Sequence, residues 1–326
     1  MKLFKSFPKI DSHFHSTFYN PVYEKIAKEY NIKLININTN ANVFPSMKVQ
    51  ETIALEYILK NKKHFSFIAS FEMDGWENEG WYEKTFARIN NSMEKGAVGV
   101  KIWKNIGMEI IKSLDKSYLM IDDTFFDPLF KYLSENRIPL LAHLGEPKNC
   151  WLPLHEMTSK RNRMYYTNNP EFHAYLHPDI PHYELQIQAR DNVLAKFPSL
   201  VFVGAHLGSL EWSYEELALR FDKYPNFKVD LSSRLGHLQL QSKNRYDDIR
   251  DFFIKYSDRI LYGTDAYDNP EKLTSSLFND WKFLSTNQNC ESTEISSRFK
   301  GIELPEESLY KIYYENSTKV YHNLSH

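Results

Sequence analysis

Cysteine is almost absent from this chain of 326 residues, which contains only Cys150 and Cys290. The two lie far apart in sequence and form no CxxC pattern, which argues against a disulfide scaffold and against a cysteine-based metal or redox motif. Two free thiols favour a reducing compartment, and we therefore expect a cytoplasmic protein.

Long apolar runs are also missing. No window approaches the roughly 18 unbroken apolar residues that a membrane-spanning helix requires. The N-terminal sequence MKLFKSFPKIDSHFH has no apolar stretch of the kind found in a signal peptide. The pattern therefore predicts a protein that does not interact with a membrane.

Neither sign of charge is in clear excess. The chain has 40 Lys and Arg residues against 42 Asp and Glu residues, with a pI of about 6.6. A balanced charge provides no general attraction for nucleic acid or for an anionic membrane surface. We expect a small molecule as the partner, and the composition leaves a homo-oligomer open.

Short apolar runs alternate with longer amphipathic stretches along the chain, and eight of the runs predict β-strands. These runs are residues 9–15, 32–37, 65–71, 97–103, 138–144, 200–207, 227–233 and 259–265. Helical patterns lie between them, and a last one covers residues 306–321. Eight strand and helix units predict a (β/α)8 TIM barrel, formed by one α/β domain over residues 1–326.

A doubly wound open sheet is the alternative fold for such an alternation. It predicts a glycine-rich turn after the first strand, because a phosphate-binding turn needs close backbone approach. The segment DSHFHSTFYN at this position contains no glycine. The barrel is therefore the preferred interpretation.

The segment from Lys148 to Tyr183 interrupts the regular spacing between predicted strands five and six. It contains tryptophan, histidines and prolines but shows no helical periodicity. We expect a long irregular insertion here. Such a segment at the carboxyl face of a barrel is usually a lid or substrate loop, and the alternative is an insertion that packs on the outside.

Five side chains that can bind a metal ion or move a proton stand at the ends of predicted strands. His13 and His15 share one face of the first strand, because side chains alternate with a period of two. His143, His206 and Asp265 end the fifth, sixth and eighth strands. Since barrel active sites form at the carboxyl ends of the strands, we expect these groups to hold a catalytic divalent ion, most simply zinc.

An ordered set of motifs carries a resemblance to a known family. The motifs are DSHFH, AHLGEP, ARDNVLAKFPSLVFVGAHLGSLEW, FDKYPNFKVDLSSR, DRILYGTDA and LPEESLYKIYYENSTKVY. Together they resemble the amidohydrolase superfamily, in particular its amidohydrolase-related branch of metal-dependent hydrolases, which also includes decarboxylases. The resemblance covers nearly the whole chain and is specific for the superfamily rather than for a substrate.

The resemblance implies roles for the five strand-end residues. By it, His13 and His15 bind the ion, His143 is the next imidazole ligand, and Asp265 both binds the ion and accepts a proton from water. His206 binds a second ion or, in members with one metal, hydrogen-bonds the water and polarises the substrate. These roles agree with the general chemistry of metal-assisted hydrolysis.

The fourth predicted strand, GAVGVKIWKN, contains a lysine of interest. Members of the superfamily with two metals often carry a carboxylated lysine there. Alternation predicts that Val98, Val100 and Ile102 face the helices, which leaves Gly99, Lys101 and Trp103 facing inward. Lys101 could bridge two ions as a carbamate, bind a substrate carboxylate, or pair with a ligand, and we prefer one metal.

Four further residues are candidates for substrate contacts. If the alternation of the seventh strand continues, Arg234 lies on the same face as its inward residues, and we expect it to bind an anionic substrate. The alternative is a salt bridge at the surface. Glu146 could orient a metal ligand. Trp103 and Trp151 could form pocket walls, although aromatic residues more often serve packing.

Three functions follow from these features. The first is hydrolysis of an amide, ester or lactone bond by metal-activated water. The second is non-hydrolytic decarboxylation of a small aromatic or enoic acid on the same metal. The third, a barrel that binds metal or ligand without catalysis, is disfavoured because it has no use for a proton-accepting aspartate beside an open metal position.

Overall fold

Parallel strands form the centre of the protein, a computed structural model that describes residues 2–292, 295–322 and 324. Nine strands build one sheet: β1 (Lys9–His15), β2 (Ile32–Ile37), β3 (Phe65–Ser70), β4 (Ala97–Ile102), β5 (Leu140–Ala142), β6 (Phe202–Gly204), β7 (Phe227–Asp230), β8 (Ile260–Leu261) and β9 (Ala266–Tyr267). Their spatial order is β8-β7-β6-β5-β4-β3-β2-β1-β9. All eight predicted strands are present.

The segment that contains β8 and β9 closes the sheet. β8 pairs with β7, and β9 pairs with β1. The residues that connect β8 to β9 also bond to β1: the Ser12 amide donates to the Tyr262 carbonyl at 2.9 Å, and the Asp265 amide donates to the His13 carbonyl at 2.7 Å. The fold is therefore a (β/α)8 TIM barrel in which β9 continues the eighth strand.

Helices surround this sheet. They are α1 (Lys2–Ser6), α2 (Pro21–Glu29), α3 (Met47–Asn61), α4 (Trp81–Glu94), α5 (Asn105–Met108), α6 (Asp127–Glu135), α7 (Lys160–Asn168), α8 (Tyr183–Lys196), α9 (Ala205–Gly208), α10 (Tyr214–Lys223), α11 (Leu235–Ser242), α12 (Tyr246–Lys255), α13 (Pro270–Ser285), α14 (Glu306–Tyr310) and α15 (Asn316–Val320). A π-helical stretch, Lys311–Glu315, joins the last two, and an antiparallel pair, β10 (Asn289–Ser292) and β11 (Ile295–Lys300), follows α13. Among the described residues, no helix is both long and apolar enough to cross a membrane.

Two apolar clusters show how the strands alternate. In β5, Leu140 and Ala142 belong to the large cluster that the strands form with the helices. Leu141 belongs to a smaller cluster with Val203, Leu261 and other strand residues. Tyr321, just after the last helix, joins this smaller cluster. The strands are thus buried on both faces, as expected for a parallel sheet.

The pairing of β3 with β4 contains an irregularity that changes one prediction. Phe67 pairs with Ala97 and Ala69 pairs with Val100, so β4 has one extra residue. Val98 lies in this bulge and packs in the smaller cluster, and the prediction that it faces the helices is wrong. Val100 and Ile102 pack with the helices as predicted.

The sixth strand is shorter than its apolar pattern suggests. β6 ends at Gly204, and His206 follows in a left-handed conformation with φ of 58°. Gly204 permits this turn, because an added Cβ would lie 2.8 Å from the Gly208 Cα and 2.9 Å from the Phe227 ring. The functional end of this strand is therefore a tight turn rather than extended chain.

The segment between β5 and β6 is long, but it is more regular than predicted. It contains four short 3₁₀ turns and the helix α7, which the sequence pattern did not indicate. Cys150, Met157, Tyr166 and Ala174 form a small apolar cluster of its own. The segment thus packs as an ordered structure beside the barrel mouth.

Candidate metal centre

His13, His15 and Asp265 converge at the carboxyl ends of the first and eighth strands. The Nε2 atoms of His13 and His15 lie 3.8 and 3.6 Å from Asp265 Oδ1. One ligand atom from each residue fits within 4.8 Å of the others. The three predicted ligands therefore form one compact donor set.

Hydrogen bonds fix the orientation of both imidazoles. His13 Nδ1 donates to Asp230 Oδ2 at 2.8 Å, and His15 Nδ1 donates to the Ile37 carbonyl at 3.1 Å. Because each Nδ1 is engaged with an acceptor, each Nε2 keeps its lone pair for a metal ion. This arrangement is typical of metal-binding histidines.

Asp230, at the end of β7, organises much of the centre. Its carboxylate accepts a hydrogen bond from His13. It also accepts hydrogen bonds from the His206 amide at 2.8 Å, the Ser232 amide at 3.1 Å and the Ser232 hydroxyl at 2.5 Å. Burial alone would raise its pKa, but His13 and the other donors hold the pKa of this carboxyl well below its usual range. The residue stays ionised and anchors two strand ends.

Asp230 is the functional residue that sequence reasoning missed. Asp230 is one of the inward residues of the seventh strand whose parity Arg234 shares, and the pattern predicted no role for it. The signal was available, because an aspartate ends the seventh strand in FKVDLSSR just as Asp265 ends the eighth. A buried carboxylate at the end of an apolar strand requires partners, and here His13 provides one.

A second carboxylate, that of Asp11, holds the backbone beside the candidate ligands. It accepts hydrogen bonds from the His13 amide at 3.1 Å and from the Thr264 amide at 3.0 Å. Burial raises the pKa of Asp11 to about 7. Asp11 thus ties β1 to the residue before Asp265 rather than facing the ligand atoms.

His206 and His143 extend the centre away from His15. The His206 ring centroid lies 4.7 Å from that of His13 and 4.3 Å from that of His143. His206 Nδ1 donates to the Ser232 carbonyl at 2.9 Å. Among the described residues, neither compact group of ligand atoms includes His143, whose ring lies against that of His206.

Three imidazoles at the centre have lowered pKa values, which favours their neutral forms. Burial lowers the pKa of His15 to about 3 and that of His206 to about 3, and it lowers the pKa of His143 well below its usual value. Burial alone would raise the pKa of Asp265, but His206, His13 and His15 together outweigh burial, and the pKa is lowered. The result is a set of neutral nitrogens beside an ionised carboxylate, as a divalent ion requires.

Lys101 lies at the end of β4 with its side chain fully buried. Its Nζ has no hydrogen-bond partner among the described residues. Burial lowers the pKa of Lys101 to about 8, while Asp230 and Asp265 oppose this shift. An unpartnered buried amine is costly, and it indicates that a further group belongs at this position.

Two of the four predicted substrate residues border a cavity of about 460 Å³ that Asp265 also lines. Arg234 and Glu146 line it, and Arg234 Nη2 lies 3.8 Å from Glu146 Oε2. Lys104 forms an ion pair with the same glutamate. Glu146 therefore contacts the two cations rather than a histidine.

The two tryptophans have different surroundings. The Trp103 ring lies below the Lys104 ammonium at 5.2 Å, and the Trp151 ring packs against Tyr183 with centroids 5.6 Å apart. The Trp151 Nε1 is buried without a partner among the described residues. Neither ring is among the residues that line the cavity at Asp265.

One imidazole is common to the possible donor sets at the centre. Two compact groups can be drawn, His13 with His15 and Asp265, and His13 with His206 and Asp230. Both use the same His13 ring, and its Nδ1 already donates to Asp230. Asp230 is therefore placed as the orienting partner of His13 rather than as a ligand of a separate ion.

Known structures share this fold. An uncharacterised TIM-barrel protein from Bordetella bronchiseptica has a TM-score of 0.57 at 15% identity, with 97% of this chain and 99% of that chain covered. 2,6-Dihydroxybenzoate decarboxylase from Rhizobium has a TM-score of 0.54 at 16% identity, covering 96% and 98%. Dihydroorotase from Campylobacter jejuni has a TM-score of 0.53 at 15% identity, covering 97% and 83%. At these identities the likeness shows the fold.

Sequence comparison gives the family. No curated protein matches the chain significantly. The amidohydrolase family profile, in contrast, matches residues 76–322, which is well over half of the chain. These residues include His143, His206 and Asp265. The protein belongs to the amidohydrolase family.

Proposed function

We propose that the protein is a metal-dependent hydrolase that cleaves an amide, ester or lactone bond of a small molecule. The observation that carries the proposal is the convergence of His13, His15 and Asp265 beside a cavity. When bound, a divalent ion, most simply zinc, would act as a Lewis acid and would lower the pKa of a coordinated water. His13 and His15 would hold it with Asp265.

Asp265 is the proposed general base. Its side chain is about one quarter exposed, and its Oδ2 accepts the Ser233 hydroxyl at 2.7 Å. This hydrogen bond fixes the carboxylate, and its lowered pKa keeps it ionised. Asp265 can therefore accept a proton from the attacking water and deliver it to the leaving group.

His206 is proposed to act as an acceptor. Its Nδ1 proton is committed to the Ser232 carbonyl. The Nε2 atom therefore carries a lone pair that can accept a hydrogen bond from the attacking water. Since the pKa of His206 is lowered to about 3, donation from this ring to a substrate carbonyl is disfavoured. His143, beside it, is proposed as an additional ligand or a polar wall of the site.

Two roles are possible for Lys101 within this proposal. As a carbamate it would supply oxygen ligands for a second ion, and as a free ammonium it would pair with a substrate or ligand oxygen. Because both compact groups of ligand atoms use His13, this geometry favours one ion and the free ammonium. Arg234 is proposed to bind an acidic group of the substrate, with Glu146 holding its guanidinium in place.

Decarboxylation is the second candidate reaction. The observation in its favour is that Arg234 and Asp265 share one cavity, so a substrate carboxylate could bind next to the metal centre. Both reactions would use the same ligands and the same proton-transfer residue.

Location and partners complete the proposal. Both cysteines are free thiols, which suits the reducing cytoplasm. The partner expected for the cavity is a small molecule.

A parallel screen tests the proposal. Zinc-reconstituted protein is offered lactones, amides and esters with acid release as the readout, and aromatic and enoic acids with carbon dioxide release as the readout. Acid release that is lost after chelation and in Asp265→Asn, but kept in the exposed control Asp247→Asn, supports hydrolysis. Carbon dioxide release with the same pattern supports the second candidate, and activity unaffected by chelation contradicts both.

A further inference from the structure

A second cavity adjoins the candidate centre. It has a volume of about 860 Å³ and shares Arg161, Met164 and Ser233 with the smaller cavity at Asp265. Thr264 and Lys272, on either side of Asp265 in sequence, also line it. The space available to a substrate therefore continues past Asp265 into a second chamber.

Lys272 stands in this second cavity at the start of α13. Its Nζ donates to the Asp265 backbone carbonyl at 3.2 Å, so the ammonium is held beside the proposed base. No carboxylate in the described part of the chain forms an ion pair with it. A half-buried ammonium that makes one backbone hydrogen bond and no ion pair keeps donors for a further acceptor.

Arg234 has a matching position in the smaller cavity. Its Nη1 donates to the Ser233 carbonyl at 3.2 Å, and its Nε is buried without a partner. Its nearest carboxylate, Glu146, is 3.8 Å away and is also paired with Lys104. The guanidinium therefore keeps donors for a further acceptor.

The two cations bracket the proposed base. Arg234 contacts the Ser233 carbonyl, the Ser233 hydroxyl contacts the Asp265 carboxylate, and Lys272 contacts the Asp265 carbonyl. Asp265 is thus linked by hydrogen bonds to a cation in each cavity.

The acids that line the two cavities are already engaged. Glu146 forms an ion pair with Lys104. The other three each accept a hydrogen bond from a side chain: Asp265 from Ser233, Glu291 from Arg298, and Asp280 from Tyr262. Arg234 shares its one carboxylate partner, Glu146, with Lys104, and Lys272 forms no ion pair with any of these four side chains. A bound divalent ion would add more positive charge.

We propose that the substrate is a dianion whose two acidic groups flank the reacting bond, one bound by Arg234 and the other by Lys272. The position of the reacting bond rests on the proposed function, whereas the two anion subsites rest on the cations and cavities alone. Carboxylates suit both positions. A phosphate at the Lys272 end has the same chemistry, because an ammonium binds either anion as a point charge.

Binding of simple probes tests the proposal without turnover. The Kd values of glutarate and adipate are measured by calorimetry, next to those of valerate, hexanoate and the neutral dimethyl esters. A charge-assisted contact contributes about 1.5 to 3 kcal/mol, so each dianion should bind about 10- to 100-fold more tightly than its monoanion. A carboxylate–phosphate probe of similar length distinguishes the two anions at the Lys272 end.

Variants assign the two ends. Lys272→Met and Arg234→Met should each reduce dianion binding to about the monoanion level, and Lys272→Arg should restore most of it. Lys84→Met, on the exposed face of α4, is the control and should change nothing. Metal content is measured in every variant to show that the centre is intact.

The outcomes separate the two proposals. Dianion selectivity that depends on both cations supports the inference even if no hydrolysis is found. Equal binding of dianions and monoanions, or selectivity unchanged in Lys272→Met, overturns the inference even if neutral substrates are hydrolysed.

Discussion

At the scale of single residues, two carboxylates of equal charge have different tasks. Asp230 is fully buried and accepts hydrogen bonds from His13 and from two backbone amides. Asp265 is partly exposed, faces the Nε2 atoms and borders the cavity. The first orients a ligand, and the second is the proposed ligand and base.

Asp230→Asn tests the orienting role. The amide is a weaker acceptor and can present a donor to His13, so metal affinity should fall by about 10- to 100-fold. At saturating zinc, turnover should recover most of its wild-type value. Metal dissociation constants from chelator competition provide the measurement. An unchanged metal affinity would show that Asp230 serves folding alone.

Asp265→Asn tests the base. The amide oxygen remains a weak ligand but cannot accept a proton, so kcat should fall by at least about 100-fold while most of the metal is retained. Metal content and kcat are measured together, with Asp247→Asn as the matched control. Parent-level turnover in Asp265→Asn with full metal would exclude Asp265 as the base.

The sequence predicted much of the centre residue by residue, because strand parity and strand ends are visible in it. His13, His15 and Asp265 lie together as expected. Sequence could not place His143 one ring away from them, since that depends on how far β5 extends beside β6. It also could not show that Glu146 contacts Lys104 and Arg234, which is set by the long segment after β5.

At the scale of elements, the strands end early where the chemistry is located. β6 is followed by His206, and β8 by Asp265, and both residues have positive φ values, 58° and 55°. Left-handed conformations of this kind are costly for such residues and are held by their surroundings. The Asp230 carboxylate holds the His206 amide, and the His13 carbonyl holds the Asp265 amide.

Gly204→Ala tests this turn. The new methyl group would meet the Gly208 Cα at 2.8 Å and the Phe227 ring at 2.9 Å. We expect a loss of about 1 to 3 kcal/mol in the free energy of unfolding, from overpacking, together with reduced activity because His206 is displaced. Urea unfolding and kcat are the measurements.

Gly80→Ala is the control for Gly204→Ala. An added methyl group there meets no neighbour within 4 Å, although the backbone has φ of 82°. It should reduce stability through the backbone alone and leave kcat unchanged. Full activity in a destabilised Gly204→Ala protein would separate the turn from function.

The elements were predictable to different extents. All eight strands have apolar runs, and most helices have clear periodicity. α7 was missed because its sequence, KRNRMYYTN, has no apolar stripe. α13 was also missed, although Asn269 and Pro270 are a recognisable helix start, and Asn269 accepts from the Lys272 amide.

At the scale of the whole molecule, burial of histidines links stability to pH. In the folded state the pKa of His206 is lowered from 6.5 to about 3. The stability it contributes is present above pH 6.5 and is lost as pH falls toward 3, because the unfolded chain takes up the proton first. Asp11 and Asp280, with pKa values raised to about 7, have the opposite effect.

Because these effects oppose each other, a difference between variants isolates the histidine. In metal-free protein, wild type should be most stable relative to His206→Asn at pH 8, and this advantage should shrink as pH falls to 5. Urea unfolding at pH 8, 6.5 and 5 provides the measurement. An advantage that stays constant or grows toward pH 5 would show that His206 is protonated in the folded state.

His13, His15 and Asp265 are proposed to hold a divalent ion that activity requires. The most direct measurement is the activity recovered as zinc is added in known equivalents to metal-stripped protein. We predict that wild type and the exposed pair His155→Gln/His177→Gln recover linearly and saturate at about one equivalent, while His13→Gln/His15→Gln stays inactive. Full activity of the stripped protein without metal, or recovery in His13→Gln/His15→Gln, would contradict the account.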